Sequence, residues 1–253
     1  MTILTSKENP KVRHWARLAR DTRYRKAERR ALIEGPHLVA ALQASGAKAV
    51  AILVTEEALA GKEIASLAGK APIVVSEAVF RSIVDADNPP GIAAEIAIPA
   101  PAAKADADVV FLEGVQDPGN VGAIVRSAAA FGAGELVLDQ ACADPWSPRA
   151  LRAGMGGQFA LAIRQVKALG FEDFRGSLIC TVARGGVSLR KARLEGRLGW
   201  IFGGEGQGVS ATVQKKAAMK VTIPIAPGTE SLNVAAAVAV CLYEGLSRPA
   251  AGS

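Results

Sequence analysis

The chain has 253 residues, half of them apolar, a formal net charge of +6, two histidines and three cysteines. Its longest apolar run, residues 234–243, is far short of the roughly 18–20 residues that span a bilayer, and its amino-terminal stretch is basic rather than an apolar signal core, so neither a membrane span nor a secretory leader is expected. Cys142, Cys180 and Cys241 are odd in number, far apart and without a CxxC pair, which argues against a disulfide framework or structural zinc and for a reducing cytoplasm; His14 and His37 alone argue against a His-based hydrolase or histidine metal site.

Charge is unevenly placed. Residues 1–30 carry ten Lys and Arg, including Lys11, Arg13, Arg23 and Arg25, against three acids, and the remainder is close to neutral. Such a segment attracts polyanions, RNA or DNA. Trp15 and Tyr24, interleaved with the cations, are placed to stack on bases. The competing reading is a charged helix kept soluble by its own surface. The segment reads as one or two helical stretches, entered through the turn Ser6-Lys-Glu-Asn-Pro10. The pattern then alternates: helix 34–42, strand 50–54, helix 57–68, strand 72–75, helix 77–84, turn 87–91 and strand 92–98. This is a small α/β domain over residues 1–98. The Pro- and Ala-rich residues 99–107 read as a linker, and a second domain runs over 108–253.

In that domain strands are expected near 108–112, 135–139, 159–163, 178–182, 198–202 and 219–225, with helices near 120–132, 147–155, 208–217 and 231–247. Such alternation predicts a mostly parallel sheet with helices on both faces. Three stretches stand out. Asn120-Val-Gly-Ala-Ile-Val-Arg126 follows the strand Val109-Val-Phe-Leu112 across a turn holding Pro118 and Gly119. Asn120 occupies the expected N-cap. Val121, Ile124, Val125 and Ala128 share one buried face, and Arg126 falls off it. A capping Asn and a free Arg at the mouth of a strand–helix unit suit an anionic ligand; the plainer alternative is a capped helix with a solvated Arg. Next, Gly203-Gly-Glu-Gly-Gln-Gly208 follows the apolar strand 198–202, and its glycines let backbone approach a ligand and present N–H donors. Its spacing departs from GxGxxG, so a nucleotide-dependent oxidoreductase is the weaker reading. Glu205 within it is either a loop carboxylate near a helix N-terminus or a group that orients others. Finally, Ile223-Pro-Ile-Ala-Pro-Gly-Thr-Glu-Ser-Leu-Asn233 leads into an apolar helix that Ser231 or Asn233 can cap.

Together and in this order, the three stretches resemble the motifs of the SpoU (TrmH-like) RNA ribose 2′-O-methyltransferases, over about residues 108–247. The resemblance implies S-adenosyl-L-methionine as cofactor, a deep trefoil knot in the last third, and a homodimer whose active site borrows from both subunits. It carries catalytic roles onto Arg126, Asn120, Glu205, Ser231 and Asn233, and a cofactor pocket onto Gly203, Gly204, Ile223, Ile225, Leu232 and Thr181; it implies no metal. Arg126 matches the family's catalytic arginine, which has been proposed as general base. A guanidinium stays protonated, so holding the target phosphate and stabilising charge on O2′ asks less of it. Asn120 is implied to hold Arg126 or the RNA backbone, Glu205 to orient catalytic groups, and Ser231 and Asn233 to position phosphate and hydroxyl.

The segment Asp144-Pro-Trp-Ser147-Pro-Arg149, continuing to Arg152-Ala-Gly154, is similar to a further family stretch, with Gly154 where many members have Ser. Arg149 and Arg152 there reach RNA or face solvent. In the first domain, Ser6-x-x-Asn9-Pro-x-Val12, the run with Arg23 and Arg25, Glu34-Gly-Pro and Pro90-Gly-Ile-Ala-Ala94 resemble the substrate-binding domain that precedes many SpoU enzymes. That implies a ribosomal-protein-like α/β fold that recruits RNA. The expected activity is methylation of a ribose 2′-hydroxyl in structured RNA, ribosomal RNA ahead of transfer RNA. A non-catalytic RNA-binding protein on the same scaffold is the alternative.

Overall fold

The computed structural model describes residues 3–86 and 88–246; Asp87, where the expected turn begins, and residues 247–253, which close the expected final helix and second domain, lie outside them. The chain forms two compact units. One is built from the residues up to Ala100 together with Trp146–Phe159, the other from Pro101–Pro145 and the residues from Ala160 on.

The first unit opens with β1 (Ile3–Leu4), α1 (Pro10–Arg20) and α2 (Thr22–Glu28). Asn9 starts α1 by accepting a hydrogen bond from the Lys11 amide, with Pro10 at the first helical position. Asp21 ends α1 and starts α2, accepting from the Tyr24 amide. Then come β2 (Arg30–Glu34), α3 (Pro36–Ala44), β3 (Ala49–Thr55), α4 (Glu56–Leu59), α5 (Lys62–Ala68), β4 (Ile73–Val75), α6 (Glu77–Ile83) and β5 (Ile92–Ala97). The strands form a mixed sheet in the order β1-β4-β3-β5-β2. Trp15, Leu18, Phe80 and Ile83 pack on it with Leu32, Leu53 and Val75.

Two expected elements differ. The helix read over 57–68 is broken into α4 and α5, with Gly61 capping the second. The helix read from Glu34 begins at Pro36, because residues 30–34 pair with β5 as a strand. The glycines of the two quoted motifs have steric reasons. Gly35 has φ +94 and donates its amide to the Ile92 carbonyl at 2.9 Å. Gly91 has φ +72, and a Cβ there would lie 2.3 Å from that of Ala58, so no larger residue fits.

The second unit contains β6 (Val109–Glu113), α7 (Pro118–Ala130) and β7 (Glu135–Leu138). Helix α8 (Pro148–Gly154) follows in sequence but belongs to the first unit. There Arg152 meets Asp85 at 2.8 Å and Glu34 at 3.5 Å. The second unit resumes with β8 (Ala162–Gln165), β9 (Ser177–Thr181), β10 (Val187–Ser188), β11 (Leu198–Gly203), α9 (Ala211–Gln214), β12 (Met219–Thr222) and α10 (Val234–Leu246). Its strands are ordered β10-β12-β9-β11-β6-β7-β8, every pair parallel. That accounts for their near-continuous apolar runs. β12 lies between β9 and β10, two strands that are consecutive along the chain. Helices α7 and α10 pack together. Asn120 meets Asn233 near one end, and the rings of Phe131 and Tyr243 meet 6.1 Å apart near the other, so the helices run parallel.

Candidate active site

Three stretches far apart in sequence meet where these two helices begin. Asn120 Nδ2 donates to Glu205 Oε1 at 2.9 Å, Asn233 Nδ2 donates to the same oxygen at 3.0 Å, and Asn233 Nδ2 also donates to Asn120 Oδ1 at 3.0 Å. Asn233 is anchored from the other side, its Oδ1 accepting from the amides of Ala235 and Ala236. It is therefore the cap of α10, and its amide orientation is fixed by the helix it starts. Two helix N-termini thus converge on one carboxylate, a favourable arrangement for the negative charge of Glu205.

Asn120 is not the cap of α7. That role belongs to Asp117, whose side chain accepts from the Asn120 amide at 2.8 Å. The correction has a physical reason. Pro118 has no N–H to satisfy and suits the first helical turn, so the helix starts one residue after Asp117. Freed from capping, the Asn120 amide reaches Glu205.

The turn between β11 and α9 is pinned by backbone. Gly204 donates to the Glu113 carbonyl at 2.8 Å, and Gly208 donates to the Gly204 carbonyl at 2.9 Å. A Cβ on Gly203 would lie 2.0 Å from the Gly208 carbonyl carbon, and one on Gly204 2.1 Å from the Gly114 oxygen. Glu113, which the sequence reading missed, holds the far end of this turn. Its carboxylate accepts from the Ser210 amide and the Ser210 hydroxyl, each at 2.7 Å. A carboxylate closing an otherwise apolar strand was the signal available for it.

On one side of the turn lies a cavity of about 450 Å³ whose wall includes Thr181, Gly203, Gly204, Ile223, Ile225 and Leu232, the six residues expected around a cofactor. Glu205 and Ser231 line it too, as do Ala183 and Glu230, which the sequence reading missed. The Thr181 hydroxyl is already committed, donating to the Ile201 carbonyl at 2.9 Å, and so fastens β9 to β11 beside the cavity. On the other side is a cavity of about 680 Å³, lined by Asn120, Asp117, Gln116 and Asp139 and sharing Gly204, Glu205, Gln207 and Gly208 with the first. Glu205 lines both cavities, Asn120 lines the larger, and Asn233 is bonded to both residues.

Arg126 is not brought into this cluster. It lies on the exposed side of α7, about 9 Å along the axis from Asn120, lines neither cavity and has no ion pair or hydrogen bond among the described residues.

The cations expected to meet RNA divide. Lys11, Arg13 and Arg23 are exposed on α1 and α2, Arg13 beside Glu8, and Arg149 is exposed on α8. Arg25 is only 2% exposed. Its guanidinium donates to the Leu18 carbonyl at 2.7 Å and the Thr22 hydroxyl at 2.8 Å, tying α2 to the end of α1. Arg25 is therefore an internal strut, not an RNA contact. Arg152 is held by Asp85 and Glu34, and burial pushes the carboxyl of Glu34 above its ordinary value. Trp15 is not available for stacking. It is 2% exposed, and its indole N–H donates to Glu95 at 2.9 Å. Tyr24 is half-buried, its hydroxyl on His14 Nδ1 at 2.8 Å and its ring under the Arg17 guanidinium.

A parallel sheet with a cavity of mixed polar and apolar lining at its strand ends, a glycine turn forming one wall and a polar cluster beside a second cavity has the layout of an α/β enzyme that binds an organic cofactor. The comparisons give the family. Residues 108–243 match the SpoU rRNA Methylase family, and residues 9–94 match the MRM3-like substrate binding domain. An uncharacterized tRNA/rRNA methyltransferase of Synechocystis is 35% identical over 95% of this chain and 92% of its own. The 23S rRNA (guanosine(2553)-2′-O)-methyltransferase RlmP of Bacillus subtilis is 29% identical over 96% and 98%. The crystal structure of an AdoMet-bound rRNA methyltransferase from Sinorhizobium meliloti superimposes with a TM-score of 0.81 at 26% identity, covering 96% of this chain and 97% of that one. The chain belongs to the SpoU rRNA methylase family.

Proposed function

We propose that the protein transfers the methyl group of S-adenosyl-L-methionine to a ribose 2′-hydroxyl of RNA, with ribosomal RNA rather than transfer RNA as substrate. The observation that carries this reading is the meeting of Asn120, Glu205 and Asn233, one from each motif stretch, where the two cavities adjoin. The name of the Bacillus relative, a 23S rRNA 2′-O-methyltransferase, supports ribosomal RNA. The smaller cavity fits the cofactor chemically. Ile223, Ile225 and Leu232 offer apolar surface to a purine, and the turn from Gly203 brings main chain where no Cβ could stand. When bound there, the cofactor supplies a methyl group activated by its sulfonium.

The remaining work falls to the chain. The substrate ribose must be aligned with that methyl group. The Asn120 and Asn233 amides hold Glu205 in one orientation at the junction of the cavities, and Ser231 adds a hydroxyl to the wall. The Arg126 guanidinium stabilises the negative charge that develops on O2′ and grips the adjoining phosphate. Because it lines neither cavity of its own chain, we place it in the site of a second copy, within a homodimer. The exposed Val240, Tyr243 and Leu246 on α10, beside α7, support such an interface. The position of β12 between β9 and β10 supports the trefoil knot. The basic first domain, residues 1–98, recruits RNA and is joined by the 99–107 linker to the methyltransferase domain, 108–253; the RNA substrate places the enzyme in the cytoplasm.

The test is transfer of label from methyl-tritiated S-adenosyl-L-methionine to unmodified ribosomal RNA and tRNA, followed by digestion to nucleosides. Label recovered as a 2′-O-methyl nucleoside from ribosomal RNA is expected. Label in tRNA alone reverses the substrate assignment, and label on a base overturns the chemistry.

A further inference from the structure

We propose that the connection between β9 and β11 carries a second RNA-binding surface, formed by Arg184, Arg190, Lys191 and Arg193, which grips backbone phosphates beside the cofactor cavity. The proposal rests on the RNA methyltransferase reading above. The near-neutral charge of the chain beyond residue 30 conceals this cluster: residues 184–197 hold five cations and a single acid, Glu195. One cation is committed to the fold. Arg197 donates to the Ala107 carbonyl at 2.8 Å, and its guanidinium lies over the Phe174 ring. The other four are exposed and have no ion pair or hydrogen bond among the described residues. Arg164, by contrast, is answered by Glu135 at 2.8 Å.

The segment that presents them is anchored. Leu189, Ala192 and Leu194 are buried, and the charged residues alternate with them, so Arg190, Lys191 and Arg193 are directed outward from a fixed backbone. The turn Leu189–Lys191 packs against α10, and Val187–Ser188 is itself an edge strand. Four cations on one connection, none of them in an ion pair among the described residues, make a locally positive surface that an anionic partner neutralises. The display is open, not an enclosing pocket, and so suits an extended polyanion over a single phosphate.

Its position ties it to the reaction. Arg184 directly follows Ala183, a residue of the cofactor cavity wall. Ser188 pairs with Thr222, the residue before Ile223 of the same wall. Phosphates bound there would lie next to the cavity from which the methyl group is delivered. The first domain recruits the RNA; this surface seats the strand.

The experiment compares the wild-type chain with a triple variant, R190Q/K191Q/R193Q. Binding of unmodified ribosomal RNA transcribed in vitro is measured across a salt series, with S-adenosyl-L-methionine affinity, melting temperature and label transfer in parallel. The triple variant is expected to lose about tenfold or more in RNA affinity, and its log–log salt slope to fall by about 2, since each phosphate contact contributes roughly 0.7–0.9. Cofactor affinity and melting temperature should stay at wild-type values. An unchanged salt slope overturns the proposal. So does a weakened cofactor affinity with RNA binding intact, which would assign the cluster to the cofactor. If the wild-type protein transfers no methyl group, the methyltransferase reading fails, and the slope comparison still decides whether this surface binds RNA. A K191R variant, which keeps the charge, should retain the wild-type slope.

Discussion

Asn120 and Asn233 are 113 positions apart in the chain, yet the amide of one donates to the carbonyl oxygen of the other at 3.0 Å, and both donate to Glu205. The pair links the first turn of α7 to the cap of α10, so the geometry at Glu205 reports on whether both helices are in place. Replacing Asn233 separates the two roles. Asn233→Ser keeps a capping oxygen but loses the donor to Glu205, so melting temperature should stay near wild type while methyl transfer falls at least tenfold. Asn233→Ala loses both, at an additional cost of about 1 kcal/mol in stability. Thermal melts beside single-turnover label transfer distinguish the two outcomes.

Arg126 is exposed and outside the core. Arg126→Ala should change stability by less than about 0.5 kcal/mol and leave cofactor affinity unaltered, while the methyl-transfer rate falls by roughly 100- to 1000-fold. Calorimetric titration with S-adenosyl-L-methionine, beside rate measurements at saturating RNA, checks both halves. Loss of cofactor binding would place the residue in the cofactor pocket instead.

The glycine turn predicts a graded series. Gly204→Ala drives a Cβ to 2.1 Å from the Gly114 carbonyl oxygen, a main-chain atom that cannot step aside. It should lower the melting temperature sharply and abolish cofactor binding. Gly206→Ala meets nothing within 4 Å but must adopt φ +83; its cost is the left-handed backbone alone, about 1–2 kcal/mol, with weakened but measurable cofactor affinity.

Arg25 and Arg23 stand two residues apart and should behave as opposites. Arg25→Gln removes a buried charge-assisted hydrogen bond to the Leu18 carbonyl and should destabilise the first domain by about 2–3 kcal/mol, with little change in RNA affinity for the protein that remains folded. Arg23→Gln should leave stability intact and weaken RNA binding. Denaturant melts and filter binding at fixed salt read the two effects.

The three cysteines predict a pH dependence. Burial pushes the thiols of Cys142 and Cys241 up to about 12 and that of Cys180 up to about 11, from an ordinary 9.0. At neutral pH all three should be inert to a thiol reagent in the native protein and react fully once it is unfolded. The linkage sign follows. Between pH 9 and the raised values the unfolded chain releases protons that the folded chain keeps, so stability is lost as pH rises through that window, by up to about 1.4 kcal/mol per thiol per pH unit. A stability that is flat from pH 8 to 10.5 would contradict this.

Much of the second unit could be read in the sequence because its central strands are near-continuous apolar runs and the turn after β11 is rich in glycine, signals carried by single residues and short runs. What stayed hidden depended on partners distant in sequence. Arg25 looks like its neighbours until the end of α1 supplies the carbonyl that buries it. Trp15 looks like a stacking residue until Glu95 answers its N–H. Strand β2 is disguised because the basic run continues into Arg30, and only pairing with β5 decides its conformation. The cap at Asp117 is legible in principle, since Asp followed by Pro is a strong helix start, but Asn120, three residues on, carries an equally good capping side chain.

The strand β12 is synthesised after both strands it separates. A growing chain therefore has to keep the slot between β9 and β10 open, or leave it unbuilt, until residue 222 has emerged, and Ile223, Ile225 and Leu232 come later still. The cavity wall is complete only once Ala237 has been made. Every residue of the first unit is made well before that point, so a shortened chain holds the first unit without the finished cavity.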